Sequence, residues 1–286
     1  MPATRTVALT TLAMIAFAGN SLLCRVALKS TAIDAASFTS IRLASGALTL
    51  WLLARAGGAG KSGSGNWRSA AALFAYAAAF SFAYLSLSAG TGALLLFGAV
   101  QATMIGHGLW SGERLRPAQL LGLVLALGGL VGLVLPGLSA PPLAGSLLMI
   151  GAGIAWGVYS LRGRGAGDPI RVTAGNFVRA VPFALALSAA TLAGTSFDVH
   201  GAAYAVASGA LASGIGYAIW YSALPGLKAT SAATVQLSVP VIAALGGIVF
   251  LGEMLSLRLV LASAAILGGI ALVILEKQRA AAGQTA

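Results

Sequence analysis

Long runs of apolar residues dominate this sequence and limit what it can fold into. Ten runs have about the 20 residues that a helix needs to cross a hydrocarbon core roughly 30 Å thick. They span 7–28, 35–54, 70–87, 91–110, 118–135, 143–161, 172–192, 202–224, 230–251 and 257–275. Backbone groups in lipid are satisfied only in helices or closed barrels, and these runs lack the alternation of barrel strands. The sequence therefore predicts an all-α, polytopic membrane protein with ten transmembrane helices.

The first run could be mistaken for a signal peptide, because a lone Arg5 precedes it. Its apolar stretch is longer than the core of a typical signal peptide, so we interpret it as the first transmembrane helix.

The composition excludes several other classes of protein. Charged residues make up 8% of the 286 residues and the mean hydropathy is +0.93, whereas soluble domains have about 25% charged residues. The basic residues that give the net charge of +11 lie mostly between the apolar runs and do not form a basic stripe. This pattern indicates a lipid bilayer as partner and not nucleic acid. Cys24 is the single cysteine, and no His/Cys cluster has metal-ligand spacing. We expect no metal and no cofactor.

The distribution of basic residues predicts the orientation in the membrane. If the runs cross alternately, one side carries only Lys29 and Arg258. The other side carries Arg5, Arg55, Lys61, Arg68, Arg114, Arg116, Arg162, Arg164, Arg171, Lys228, Lys277 and Arg279. Loops rich in Lys and Arg stay in the cytoplasm, so both termini of this multi-pass protein are expected to be cytoplasmic.

The two halves of the chain repeat each other. At an offset of 140, Gly112-Glu113-Arg114-Leu115 matches Gly252-Glu253-Met254-Leu255, and at an offset of 137, Ile41-Arg42-Leu43 meets Val178-Arg179-Ala180. Residues 1–140 and 141–286 then hold five helices each, and an odd number inverts the second unit relative to the first. Many transporters consist of such inverted repeats and bind their solute near the midplane between them.

These features resemble the drug/metabolite transporter superfamily with two EamA-type units, over about residues 7–276. The Gly-Glu-x-Leu signature follows the fourth and ninth helices, and an arginine lies in the second and seventh. Within that superfamily the chain looks most like the YddG-type aromatic amino-acid exporters. The resemblance implies export of aromatic amino acids or similar small amphiphiles across a bacterial inner membrane, in which the chain is a multi-pass protein. One departure concerns proline: Pro240 in the ninth helix has no counterpart at Val100, so a symmetric proline-hinged mechanism is in doubt for the first half.

Polar and aromatic residues at helical spacing mark the faces that turn away from lipid. The third helix offers Tyr76, Phe80 and Tyr84 on one such face. We predict that the solute site includes Phe17, Asn20, Tyr84, Phe97, Gln101, Trp156, Tyr159, Asn176, Tyr217, Trp220 and Gln236. The alternative for the aromatic residues is helix packing or an interfacial belt, and the alternative for the amides is a hydrogen bond between helices.

Acidic residues all fall in loops or at the ends of the apolar runs: Asp34, Glu113, Asp168, Asp198, Glu253 and Glu276. Proton-driven carriers commonly use a buried acid as a relay, so we expect a uniporter or facilitated exporter. A cavity without acids suits a zwitterion with an apolar ring, because aromatic faces can hold its ammonium group.

Arg42 and Arg179 lie inside spans, where an unpaired arginine is costly. We hypothesise that Arg42 with Glu253 and Arg179 with Glu113 form mirrored ion pairs that brace or gate the two mouths, with Pro240 as a further structural or gating residue. The alternative is that Glu113 pairs with a neighbouring surface arginine and that each buried arginine binds helix-end carbonyls.

Other functional classes have less support in the sequence. An intramembrane enzyme would need a nucleophile and a base at one depth, and only scattered serines and His107 are present, so we expect no enzyme. Outside the transporters, the alternative is a passive channel or a structural membrane protein. Among transporters, the alternative is a nucleotide-sugar carrier or a carrier of cationic drugs and metabolites. The expected partners are a small-molecule substrate and lipid, and we expect a monomer.

Overall fold

The computed structural model describes residues 3–57, 63–112, 114–137, 139–227 and 229–282, and within these ranges it contains helices and turns but no strand. The helices are α1 Ala3–Ser30, α2 Ala35–Ala56, α3 Trp67–Tyr84, α4 Ala89–Trp110, α5 Pro117–Val134, α6 Leu143–Gly163, α7 Pro169–Ala190, α8 Val199–Gly226, α9 in two parts Ala229–Val235 and Ser238–Leu251, and α10 Leu257–Ala282. The predicted all-α class is confirmed.

Nine helical segments of the described chain are long and apolar enough to cross a membrane. The exception is α3, in which Arg68 and many alanine, serine and aromatic residues replace the leucines and valines of the other helices. α3 nevertheless packs along α6 and α7 within the bundle. Large apolar side chains cover the outside of the molecule, for example Leu120, Leu121 and Val124 on α5. A surface of this kind is stable in lipid and not in water, as expected for a multi-pass membrane protein.

Short polar side chains start several of the helices. The side chains of Asp34, Asn66, Ser88, Asp168 and Asp198 accept hydrogen bonds from backbone N–H groups in the first turns of α2, α3, α4, α7 and α8. Such caps satisfy groups that have no partner inside the helix.

Asp34 also joins two loops at one end of the bundle. Its Oδ2 accepts a hydrogen bond from the backbone N–H of Ser196 at 3.0 Å, in the loop before α8. Burial alone would raise the pKa of this carboxyl, but the hydrogen bonds from Ser37, Ser196 and Ala36 outweigh burial and lower its pKa below the ordinary value. The carboxylate therefore stays ionised and holds the two loops together.

The main helix contacts are symmetric between the two halves. α1 packs against α8 and α9, as α6 packs against α3 and α4. α2 contacts α8 as α7 contacts α3. Three further pairs, α2 with α7, α4 with α9 and α5 with α10, each join helices at equivalent positions of the two halves. This is the contact pattern that a pseudo-two-fold relation between the two halves gives. The division into inverted units at residues 1–140 and 141–286 stays a prediction.

Two helices of the second half deviate from regular geometry. α8 contains a π-helical stretch at Ala207–Ile215, a feature common at functional sites. α9 breaks at Gln236 and Leu237, because Pro240 has no N–H and its ring clashes with the carbonyl four residues earlier, which is that of Gln236. In the first half, α4 runs unbroken through Val100. The absence of a proline there thus has a structural consequence.

Glycines differ in what surrounds them. A Cβ atom added at Gly153 on α6 would lie 2.6 Å from the carbonyl oxygen of Leu96 and 2.6 Å from the Cβ of Ala99, both on α4. A Cβ added at Gly128 on α5 would meet no atom of the described chain within 4 Å. Gly153 therefore permits the close packing of α4 and α6, whereas Gly128 faces the outside of the bundle.

These two glycines provide a matched test of the helix packing. We expect Gly153→Ala to destabilise the protein by about 1 to 3 kcal/mol, since α4 must move away from α6. Gly128→Ala should be neutral or stabilising by up to about 1 kcal/mol, because alanine favours the helix. Thermal unfolding in detergent measures both. Equal losses of stability in the two variants would contradict the close contact between α4 and α6 at Gly153.

Candidate functional site

A cavity of about 350 Å³ lies between α1, α3, α4, α6, α7, α8 and α9. It opens at the end of the bundle where α6 meets α7, since Gly163, Arg164 and Pro169 line it and are exposed. We call this the open end. Nine of the eleven predicted solute residues line the cavity: Phe17, Asn20, Phe97, Trp156, Tyr159, Asn176, Tyr217, Trp220 and Gln236.

An aromatic wall runs along the cavity, centred on Trp156. The Trp156 ring lies nearly parallel to that of Tyr217, at 5.5 Å and 15°. Tyr76 is 4.8 Å from Trp156 and Tyr159 is 5.3 Å from it, while Phe17 lies 5.7 Å from Tyr217. These rings come from α1, α3, α6 and α8. Apart from the parallel pair Trp156 and Tyr217, the rings are tilted by 33° to 53° relative to one another. Together they offer aromatic faces and edges against which another ring can pack.

Two buried asparagines hold tyrosine hydroxyls of this wall. Asn20 Nδ2 donates to Tyr76 Oη at 3.3 Å, and Asn176 Nδ2 donates to Tyr159 Oη at 3.4 Å. Asn20 Oδ1 in turn accepts from Ser208 Oγ at 2.6 Å, in the π-helical stretch of α8. Both asparagines line the cavity, and both form the hydrogen bonds between helices that the alternative interpretation expected. Their part in solute binding stays a prediction.

Arg42 lies behind the inner part of the cavity. It is only 1% exposed, and its Nη2 donates to Tyr76 Oη at 2.9 Å. The guanidinium carbon is 5.2 Å from the centre of the Tyr76 ring and 4.8 Å from that of Phe80. Among the described residues, Arg42 Nε and Nη1 have no hydrogen-bond partner.

The predicted ion pair between Arg42 and Glu253 is wrong. Glu253 Oε1 binds Arg25 Nε at 3.2 Å, and its Oε2 accepts from the backbone N–H of Ala89 at 2.8 Å. The guanidinium of Arg25 also donates to the carbonyl of Tyr84 at 2.8 Å. Arg42 points inward to Tyr76 instead. The sequence supplied the arginine and the acid but not the direction in which each side chain points.

The contacts of Arg25 and Glu253 join α1, α3, α4 and the end of α9 at the side of the cavity away from Arg164. We call this the closed end. The side chains of Arg25 and Glu253 are only 13% and 10% exposed. The pair therefore holds these four helices together at the closed end.

Of the second predicted pair, Arg179 with Glu113, the structure describes only Arg179, so this pair stays a prediction. Arg179 Nη1 donates to the carbonyls of Ser64 at 2.5 Å and Gly175 at 3.0 Å. These are carbonyl contacts of the kind that the alternative interpretation expected. Glu113 lies outside the described residues, as do Lys61 and Lys228.

Two predicted solute residues do not line the cavity. Tyr84 is fully buried at the closed end beneath Phe80, at 4.8 Å, and its Oη donates to the carbonyl of Ala89. Gln101 is 7% exposed and lies outside the lining. Helical spacing identifies a face, but it does not show how far along that face the cavity extends.

Other lining residues were not predicted. Tyr221, one helical turn after Tyr217, contacts Thr173 through its hydroxyl at 3.0 Å. The four-residue spacing could have indicated Tyr221. Ser213 reaches the cavity within the π-helical stretch, and no sequence pattern marks that stretch.

No Asp or Glu of the described chain lines the cavity. The described residues also contain no cluster of three potential metal ligands. The lining combines aromatic rings, amides and hydroxyl groups, with the exposed guanidinium of Arg164 at the open end and the buried guanidinium of Arg42 behind the inner end. Chemically, this arrangement can bind a small solute with an apolar ring and polar ends.

Comparisons with known proteins identify relatives. Residues 143–275 match the EamA-like transporter family. The chain is 60% identical to the uncharacterized protein PA1977 of Pseudomonas aeruginosa over 296 aligned positions, which cover 100% of both chains. It is 35% identical over 160 residues, 53% of each chain, to the threonine/homoserine exporter RhtA of Salmonella typhimurium. A solved crystal structure shares the fold with a TM-score of 0.67 at 20% identity, covering 96% of this chain and 98% of the other.

Replacing the central ring of the aromatic wall tests whether this wall binds a solute. We expect Trp156→Ala to weaken the binding of tryptophan about tenfold, because a stacking surface is lost. Trp110→Ala is the matched control, since Trp110 is 93% exposed and does not line the cavity. Equilibrium binding of radiolabelled tryptophan in detergent measures both variants. Equal affinities for Trp156→Ala and the wild type would make the wall a packing feature.

Proposed function

We propose that this chain is a membrane transporter that exports aromatic amino acids. The match of residues 143–275 to the EamA-like transporter family supports transport, and the chain belongs to one family with PA1977, to which it is 60% identical along its whole length. Transport is a facilitated uniport by alternating access through the cavity. The observation that carries this proposal is the wall of Trp156, Tyr217 and Tyr76, at ring distances of 4.8 and 5.5 Å. The likeness to YddG-type exporters belongs to the same proposal.

The size and charge of the cavity favour an amino acid over the other carrier classes. Its volume of about 350 Å³ is at the small end of the range of roughly 300 to 1,000 Å³ for ligand pockets. A single amino acid suits this volume better than a nucleotide sugar does. A cationic drug would lie near the buried Arg42, and no carboxylate of the described lining would offset that repulsion.

A second candidate solute comes from RhtA, a threonine/homoserine exporter that matches about half of this chain. The hydroxyls of Thr173 and Ser213 line the cavity and can bind a small polar side chain. Threonine and homoserine are therefore the comparison solutes in any transport experiment.

We assign the open end of the cavity to the cytoplasm of a bacterial cell, with the protein as a monomer in the inner membrane and both termini inside. Arg162, Arg164 and Arg171 lie at this end, and basic loops favour the cytoplasmic side. The conformation is then open to the inside. Outward opening requires the Arg25–Glu253 contact to separate, and the break in α9 before Pro240 gives the second half a point of bending that α4 lacks.

Counterflow in liposomes tests the proposed solute. We expect the purified protein to exchange tryptophan and phenylalanine saturably, and threonine, homoserine, a quaternary ammonium ion and a nucleotide sugar weakly or not at all. Liposomes without protein are the control. Saturable exchange of threonine alone would favour the second candidate, and exchange of only the nucleotide sugar would refute amino-acid export.

The single cysteine reports on the closed end. Cys24 is fully buried next to Arg25, so a membrane-impermeant maleimide should label the wild type slowly. We expect Glu253→Ala to label faster, because Arg25 loses its only described carboxylate contact. Glu253→Gln keeps an acceptor for the Ala89 N–H and should give a smaller increase. Unchanged labelling rates, with full labelling after denaturation, would show that this pair does not close the bundle.

A further inference from the structure

The O–H group of Tyr76 lies at the inner end of the cavity, and its hydrogen has no acceptor among the described residues. Its oxygen accepts hydrogen bonds from Arg42 Nη2 at 2.9 Å and from Asn20 Nδ2 at 3.3 Å. A phenolic oxygen with both lone pairs occupied can act only as a donor towards a further group. Within the described ranges, no acceptor for this O–H is present, and Tyr76 lines the cavity. The protein therefore presents a hydrogen-bond donor to whatever occupies the cavity.

The charge behind this hydroxyl is not neutralised by the protein that the structure describes. Arg42 is 1% exposed, and its Nε and Nη1 have no partner there. Glu253 and Asp34 have other partners: Glu253 binds Arg25, and Asp34 binds the start of α2 and Ser196. Two aromatic faces and one phenolic oxygen offset only part of the cost of burying a guanidinium. An anionic group close to Tyr76 would supply the missing counter-charge.

We propose that Tyr76, with Arg42 behind it, binds the carboxylate of the transported amino acid. This inference rests on the proposed function and specifies which end of the solute lies innermost. Tyr76 donates directly to a carboxylate oxygen, and Arg42 is a positioning residue that orients the Tyr76 hydroxyl and supplies positive charge. The solute ring then lies along Trp156 and Tyr217, and its ammonium group lies against aromatic faces.

This arrangement makes the carboxylate a condition of transport. A decarboxylated or amidated analogue has the same ring and the same ammonium group, but it cannot neutralise Arg42. The loss of a hydrogen bond to a charged group weakens binding by about 10- to 100-fold. The wild type should therefore prefer tryptophan over tryptophanamide by about that factor.

The test compares tryptophan with tryptophanamide as competing solutes in liposome counterflow. Tyr76→Phe keeps the ring beside Trp156 and removes only the hydroxyl, so its half-saturation concentration for tryptophan should rise about 10- to 100-fold while that for the amide changes little. The matched control is Tyr159→Phe, which removes a hydroxyl of the same wall that also accepts from an asparagine. That control should leave the ratio of acid to amide unchanged.

The second pair of variants separates charge from packing at Arg42. Arg42→Met should abolish the preference for the acid, and Arg42→Lys should restore part of it, because lysine keeps the positive charge. Elution from size-exclusion chromatography identifies variants that fail to fold. If the Arg42 variants fail to fold, the result for Tyr76→Phe alone tests the carboxylate site. An unchanged acid-to-amide ratio in Tyr76→Phe, or an equal loss of both solutes, would overturn the carboxylate site.

Failure of the proposed solute gives a different result from failure of this inference. If the wild type exchanges neither tryptophan nor its amide, aromatic amino-acid export is wrong, and the same Tyr76→Phe comparison with threonine and threoninamide tests the carboxylate site. If the wild type exchanges tryptophan but does not prefer it over the amide, the carboxylate site is wrong and the export proposal stands.

Discussion

The central constraint on this molecule is the burial of a guanidinium without a carboxylate partner among the described residues. Moving a charge from water into a protein interior costs several kcal/mol even after relaxation. Arg42 recovers part of this cost from the hydroxyl of Tyr76 and the rings of Tyr76 and Phe80. Asn20 and Ser208 extend the same chain of hydrogen bonds. This chain fixes α1, α2, α3 and α8 relative to one another and defines the inner end of the cavity.

The two halves share a packing pattern but differ in chemistry. Arg42 is buried behind the cavity, whereas Arg179, its counterpart in the repeat, donates to backbone carbonyls of Ser64 and Gly175. Pro240 breaks α9, whereas α4 is continuous through Val100. The inner end of the cavity therefore has a buried guanidinium behind it, whereas the guanidinium at the open end, that of Arg164, is exposed. Only one of two equivalent helices, α9, is bent. These differences distinguish the two ends of the cavity inside a nearly symmetric bundle.

The sequence predicts the helices well because lipid leaves few alternatives to a helix. The apolar runs agree with most helix bounds to within a few residues, and helical spacing identifies most of the aromatic and amide residues of the cavity lining. Spacing gives the face of a helix but neither depth nor partners. Spacing alone therefore predicts that Tyr84 lines the cavity, although Tyr84 lies one turn beyond Phe80 towards the closed end. Glu253 was assigned to Arg42 because nothing in the sequence shows that Arg25 is nearer.

α1 connects the inner end of the cavity to the closure of the bundle. Asn20 contacts the hydroxyl of Tyr76, and five residues later Arg25 binds Glu253 and the end of α3. Five residues are less than one and a half turns of helix, so a shift or rotation of α1 changes both contacts together. A solute group at Tyr76 that alters the Asn20 contact therefore acts on the same rigid element that carries Arg25. Coupling of this kind needs no further relay, because one helix takes part in both sites.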